Sequence, residues 1–262
     1  MNASFRRHNA ARRGLTLIEL VVVLAILVAL AGLIIGNFPG LIKRASRSSS
    51  ASSVGDINRA VQVDYTTLLK YPNDMDSLLQ SGGTVYANLP NVGGTPVGGL
   101  ISAGALTSAE VNALASVGIT RSFQMDVPTP TDVTWKSTDS GTALFNGAAG
   151  ANLVATISSN TAYATFGPGV VNTTADGGSR YLVFGLGNRC TLVGPSKNMF
   201  EAPVRFGESA AHNPKDYYQR YALVFALDAV GTATKVRYVG SAAIEATGLS
   251  VSDGNLQQYW QN

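Results

Sequence analysis

The carboxylate of Glu19 stands inside an apolar run, residues 15–38, whose only other polar members are Thr16 and Asn37. An acidic side chain at a bilayer centre costs about 2.5–3.5 kcal/mol, less near the edge, so such a residue needs a specific partner. Other residues with chemical potential are less well supported. Cys190 is the single cysteine; it can form no internal disulfide and leaves no zinc site built on several cysteines. Its flank, Gly187-Asn188-Arg189-Cys190-Thr191-Leu192, supplies no neighbouring base, and the residue reads as a small buried hydrophobe. Gly194-Pro195-Ser196-Lys197 sets a serine beside a lysine, but adjacent side chains point apart and the stretch reads as a polar turn. His212, the only histidine beyond His8, reads as part of a surface turn, with Pro214 opening a short helix over residues 216–220. Asp176, Asp228 and Asp253 are too scattered to form a ligand-dense loop for calcium, so no metal ligand is assigned. Hydrolase, metalloprotease and phosphate-loop signatures are absent, and no catalysis is expected.

The elements that must position Glu19 are legible. Residues 1–14 are polar and carry Arg6, Arg7, Arg12 and Arg13 with no acid; removing those four from a net charge of +3 leaves −1 for residues 15–262. The chain without its leader therefore lacks the basic footprint of a nucleic-acid binder. Residues 15–38 as a helix span ~36 Å, enough to cross a bilayer. Gly32 and Gly36 form a small-xxx-small pair that lets apolar helices approach closely. Pro39 and Gly40 predict a break or kink, and the serine-rich tract 45–53 is a poor helix former. Val54, Ile57, Val61, Tyr65 and Leu68 then recur at spacings of three and four, the pattern of an amphipathic helix ending at Tyr71-Pro72. Residues 74–79 read as one further helical turn, residues 81–104 as glycine-rich loop, and residues 108–117 as a short helix. Thr129, between two prolines, marks a turn. Residues 152–157, 162–166, 181–186, 221–227 and 235–239 read as strands. Tyr217-Tyr218-Gln219-Arg220-Tyr221 reads as core packing with one tyrosine outward, a binding face being the alternative.

The stretch Gly14-Leu15-Thr16-Leu17-Ile18-Glu19-Leu20 resembles the processing site of type IV prepilins and type II secretion pseudopilins. The resemblance implies that a prepilin peptidase cuts between Gly14 and Leu15 on the cytoplasmic side and N-methylates Leu15, where the family usually has phenylalanine. The new α-amino cation would lie four residues before Glu19, ~6 Å along a helix. Glu19 could neutralise that amine in its own chain or in a neighbouring subunit, which would set the stagger of helices in a filament. Tyr71-Pro72 followed by Leu78 resembles the element that ends the long helix of major pseudopilins. The family also implies self-assembly into a helical filament, an inner-membrane platform with its ATPase, contact with membrane lipid, and, in major pseudopilins, a calcium in the head.

The expectation is an α+β, pilin-like chain. It comprises a leader (1–14), a transmembrane or filament-core helix (15–38), a kink and amphipathic helix (39–70), and a β-rich globular head (71–262) on which the helix packs. It would sit in the bacterial inner membrane, single-pass, leader cytoplasmic and head periplasmic, before joining a periplasmic or cell-surface filament. The charges flanking the span, four arginines before and Lys43, Arg44 and Arg47 after, favour that orientation only slightly. Pilus and pseudopilus, major and minor subunit, stay open: the single cysteine and Tyr71-Pro72 favour a pseudopilus, and the large head opposes it. The rival reading is an ordinary signal peptide cut after Ala31, releasing a ligand-binding or enzymatic head. Against it, Glu19 interrupts the apolar core and apolar residues continue past Gly32.

Overall fold

The computed structural model describes residues 16–80, 83–125, 152–167, 170–171, 179–205, 214, 216–230 and 233–251, with 33–44, 124–125, 229–230 and 233 described by their backbone alone. The chain divides into two compact units, Met1–Arg44 and Ala45–Asn262. Helix α1 (Leu17–Leu68) begins in the first and ends in the second.

In the first unit every described side chain from Thr16 to Gly32 is exposed. A helix apolar all round and exposed all round is a surface that needs cover. The apolar residues 17–32 span ~24 Å, and no helix among the described residues is long and apolar enough to cross a membrane. The backbone stays helical through Pro39 and Gly40, so of the expected break or kink the break does not occur. A mid-helix proline forfeits one hydrogen bond and crowds the preceding turn, and the bonds on either side carry the helix past it.

In the second unit the serine tract is helical as well. Ser53 Oγ donates to the Ser49 carbonyl at 3.0 Å. Tertiary packing overrides the weak propensity: Ser50, Val54, Ile57, Ala60 and Val61 are buried. The apolar stripe stops a turn early, leaving Tyr65 and Leu68 37% and 56% exposed. The Tyr65 ring stacks on that of Tyr71, centroids 4.4 Å apart. Leu69, at φ +54°, ends the helix.

The head is built on an eight-stranded mixed sheet. Its strands are β1 (Met75–Gln80), β4 (Ile101–Ala105), β5 (Ser122–Met125), β6 (Leu153–Ile157), β7 (Arg180–Gly185), β8 (Tyr221–Val230), β9 (Ala233–Glu245) and β10 (Gly248–Ser250). The main path runs β10-β9-β8-β7-β1-β5, and β6 pairs with β7 and β4. Among the described strand pairs only β1 and β5 run parallel. β2 (Asn91–Val92) and β3 (Thr95–Pro96) form a separate hairpin, while α2 (Ser108–Ser116) and α3 (Ser159–Phe166) complete the unit.

Alternation along β7 and β8 divides the core in two. Leu182, Phe184, Leu223, Phe225 and Leu227 join Val54, Ile57 and Val61 of α1 and Val111 and Leu114 of α2. Tyr181, Val183, Ala222, Val224 and Ala226 face the other way, towards Leu78, Leu79, Tyr86, Val97 and Ala162. Covered on both faces, these strands read as nearly continuous apolar runs.

Three local expectations are corrected. Residues 74–79 are strand, not helix: Met75 through Leu79 are all buried, and a helical turn would expose one side. Residues 162–166 belong to α3, because the Ser158 side chain accepts the Thr161 N–H and Ala162 turns into the core. Residues 216–220 form no helix. Tyr218 N–H bonds the Asn88 carbonyl and the Gln219 carbonyl accepts from Arg205, so their backbone bonds go to distant segments. Residues 81–104, expected as loop, also hold the β2–β3 hairpin and most of β4. The expected turn at Thr129 lies outside the described residues.

Candidate functional site

The start of α1 is closed by Thr16 and Glu19. The Thr16 N–H donates to Glu19 Oε2 at 2.8 Å, the Thr16 hydroxyl donates to the same oxygen at 3.0 Å, and the Glu19 N–H donates back to Thr16 Oγ1 at 3.4 Å. This is a reciprocal capping box: two orphan donors of the first turn are satisfied by side chains three residues apart. The same device opens α2, where Thr107 and Glu110 make the corresponding three bonds at 2.7, 3.0 and 3.3 Å. Glu110 differs in also receiving Arg180 at 3.1 Å. Like Glu110, Glu19 accepts both capping bonds on Oε2, and its Oε1 has no partner among the described residues.

Gly14 and Leu15 lie outside the described residues, immediately before Thr16. Gly32 is exposed, and a methyl built on it would meet nothing within 4 Å. Gly36 and Pro39 are helical in backbone. Sequence reasoning missed Thr16, although Thr-x-x-Glu ahead of an apolar run is the signature of a capping box.

Within the second unit, Asn58 fastens α1 to the sheet. Its Oδ1 accepts from Tyr238 Oη at 2.7 Å, from Ser241 N at 2.9 Å and from Ser241 Oγ at 2.9 Å. Tyr71, from the Tyr-Pro element, packs edge-on against Phe225 and accepts the Tyr238 N–H at 3.3 Å. The element that ends the helix thus also docks it.

The remaining candidates form no reactive group. Cys190 is buried, and desolvation pushes its thiol up to about 12. Ser196 and Lys197 sit in an exposed turn closed by Lys197 N–H to the Gly194 carbonyl. Asp228 is taken by Arg237 at 3.1 Å and by the Ser179 hydroxyl at 2.9 Å. Asp176, His212 and Asp253 lie outside the described residues. Among the described residues no group of three His, Cys, Asp or Glu could hold a metal. Tyr218, Gln219 and Tyr221 are buried and Tyr217 is half-buried, so that aromatic run is core rather than binding face.

Residues 9–35 match the prokaryotic N-terminal methylation motif, the prepilin-type cleavage and methylation segment. The matched segment contains Gly14, Leu15, Thr16, Glu19 and Gly32. It supports a type IV pilin-like or pseudopilin protein and suggests a structural subunit. No curated protein and no solved structure matches the chain.

Proposed function

We propose that this chain is a structural subunit of a type IV pilus-like or type II secretion pseudopilus filament. The observation that carries the reading is the methylation motif over residues 9–35, which contains the Gly14–Glu19 segment. The precursor inserts with its arginine-bearing leader cytoplasmic and its head outside. A prepilin peptidase cuts after Gly14 and methylates Leu15. The apolar residues 15–38, about 36 Å as a helix, hold the subunit in the bilayer until an ATPase-driven platform moves it into a filament. There the same residues form the core, and the cover that the exposed helix needs is supplied first by lipid and then by neighbouring subunits.

The capping box gives Glu19 two successive tasks. In the precursor it satisfies the Thr16 N–H. After cleavage Thr16 becomes the second residue, the new amine of Leu15 is the cation that partners the carboxylate, and Oε1 is the oxygen the box leaves open. The proton-bearing amine, of this chain or of a neighbour, then neutralises the carboxylate without dismantling the helix start.

The mature N-terminus, read by intact mass and terminal sequencing from the native host, tests this. A chain beginning at N-methylated Leu15 is expected. A chain beginning at Gly32 would establish ordinary secretion and overturn the filament reading, and an uncleaved chain would remove the processing step on which it depends.

A further inference from the structure

Asp76 is the most deeply buried acid described in the head, 2% exposed near the start of β1. It lies opposite Phe123 of β5 on one side and Gly185 of β7 on the other, and that rung is the single one recorded between β1 and β7. Its Oδ2 accepts from Tyr218 Oη at 2.7 Å. Its Oδ1 finds no hydrogen-bond partner among the described residues. The surrounding backbone is shaped around the pair. A methyl on Gly187 would collide with both carboxylate oxygens, and one on Gly185 would collide with the Tyr218 hydroxyl.

The strand that carries Asp76 is held weakly by its own ladder. Asp74 and Leu78, on either side, have φ of +60° and +58°, a region that non-glycine residues disfavour. The register with β5 shifts between Asp76 and Gln80. The side-chain bond from Asp76 to Tyr218 therefore ties β1 to the segment entering β8, where strand pairing is irregular.

We propose that the buried Asp76 carboxyl is a proton-controlled latch on the stability of the head: the head holds fastest while that carboxyl keeps its proton and weakens when it ionises, because the hydrogen bond from Tyr218 offsets only part of the cost of a buried charge. A neutral carboxyl suits a dry site with one donor; a carboxylate there would hold a buried charge on one hydrogen bond. The groups facing it are few. Tyr218 and Arg220 come from the segment before β8, and Arg189 and Cys190 from the loop after β7; β5 presents apolar Phe123, on which Arg189 and Arg121 stack. Arg121 is also bound by Asp74. The Tyr218 hydrogen bond and the two arginines near Asp76 favour its ionised form, but burial outweighs them and raises the carboxyl from 3.8 to about 6. Tyr218 and Cys190 are pushed upward by the same burial, so both stay neutral while Asp76 titrates.

The sign follows from proton linkage. Between the two values the unfolded chain has released the proton and the folded head keeps it, so stability falls as pH rises. The full contribution is present below 3.8 and is lost by about 6, on the order of a hundredfold in the folding equilibrium. The latch stands on the head alone and does not depend on the filament reading.

The test uses the full-length protein in mild detergent. The Asp76 side-chain carboxyl is titrated by carbon-13 NMR, and thermal unfolding is followed between about pH 4 and pH 7. A titration midpoint near 6 is expected, with an unfolding temperature that drops across the window in wild type and much less in Asp76→Asn. Tyr218→Phe, which removes the bond favouring the ionised form, raises the midpoint further. A midpoint in the ordinary carboxylate range, or equal pH slopes in wild type and Asp76→Asn, overturns the latch. If Asp76→Asn does not fold, the wild-type NMR midpoint alone decides.

Discussion

Thr16 and Glu19 show how a polar pair can be placed in an apolar helix without waste. Each closes an orphan N–H donor of the first turn, at 2.8 and 3.4 Å, and one carboxylate oxygen remains available. Thr16→Val removes the cap and should weaken the first turn by about 0.5–2 kcal/mol, read as faster hydrogen exchange at the amides of residues 17–20. Glu19→Ala should sharply reduce incorporation into filaments while leaving the head folded; undiminished incorporation would contradict the pairing role. Asn58 is the corresponding residue of the head. Asn58→Ala strips one acceptor from three donors, Tyr238 Oη, Ser241 N and Ser241 Oγ. A loss of about 2–3 kcal/mol is expected from leaving them unsatisfied, measurable as a lower denaturant midpoint. Glu19 was legible in the sequence because a carboxylate in an apolar run is conspicuous. Asn58 was not, because an asparagine on the flank of a helix looks like any solvated residue until Ser241, far along the chain, is brought against it.

At the scale of elements, α1 owes its second half to packing. The stripe of Val54, Ile57 and Val61 was readable as a period of three to four residues, and all three are buried against β7 and β8 side chains. Ile57→Ala should cost about 2–5 kcal/mol, as for other fully buried aliphatic truncations. The same change at exposed Leu68, 56% accessible, should cost far less, and comparative thermal melts separate the two. The errors share one cause. Residues 45–53 and 74–79 were judged on local propensity, whereas Val54 and Ile57 beside the serine tract, and two-sided burial of Met75 and Leu79, decided their conformation. Residues 162–166 carry β-prone types, but the Ser158 cap starts a helix ahead of them. Strands β7 and β8 were found readily because burial on both faces makes them apolar throughout.

For the whole molecule, Cys190 offers an internal reporter. It lies in the core shared by α1, β7 and β8, and burial holds its thiol protonated up to about 12. Thiol reagents at neutral pH should label it only as fast as the head opens. Its labelling rate should therefore rise in Ile57→Ala and Asn58→Ala in proportion to the stability each loses; rapid labelling of the intact wild type would contradict the burial. The sequence by itself determined what is local and one-dimensional: the arginine-bearing start, the apolar run with Glu19, the methylation motif over residues 9–35, the amphipathic stripe and the strongest strands. These rest on periodicity, hydropathy and motif, which survive without a fold. Only the tertiary structure decided that the serine tract is helical, that residues 74–79 form a strand parallel to β5, and that Asp76 meets Tyr218 across 142 residues. The physical reason is that burial and hydrogen-bond partnership are properties of pairs. A pair distant in sequence leaves no pattern in either of its segments.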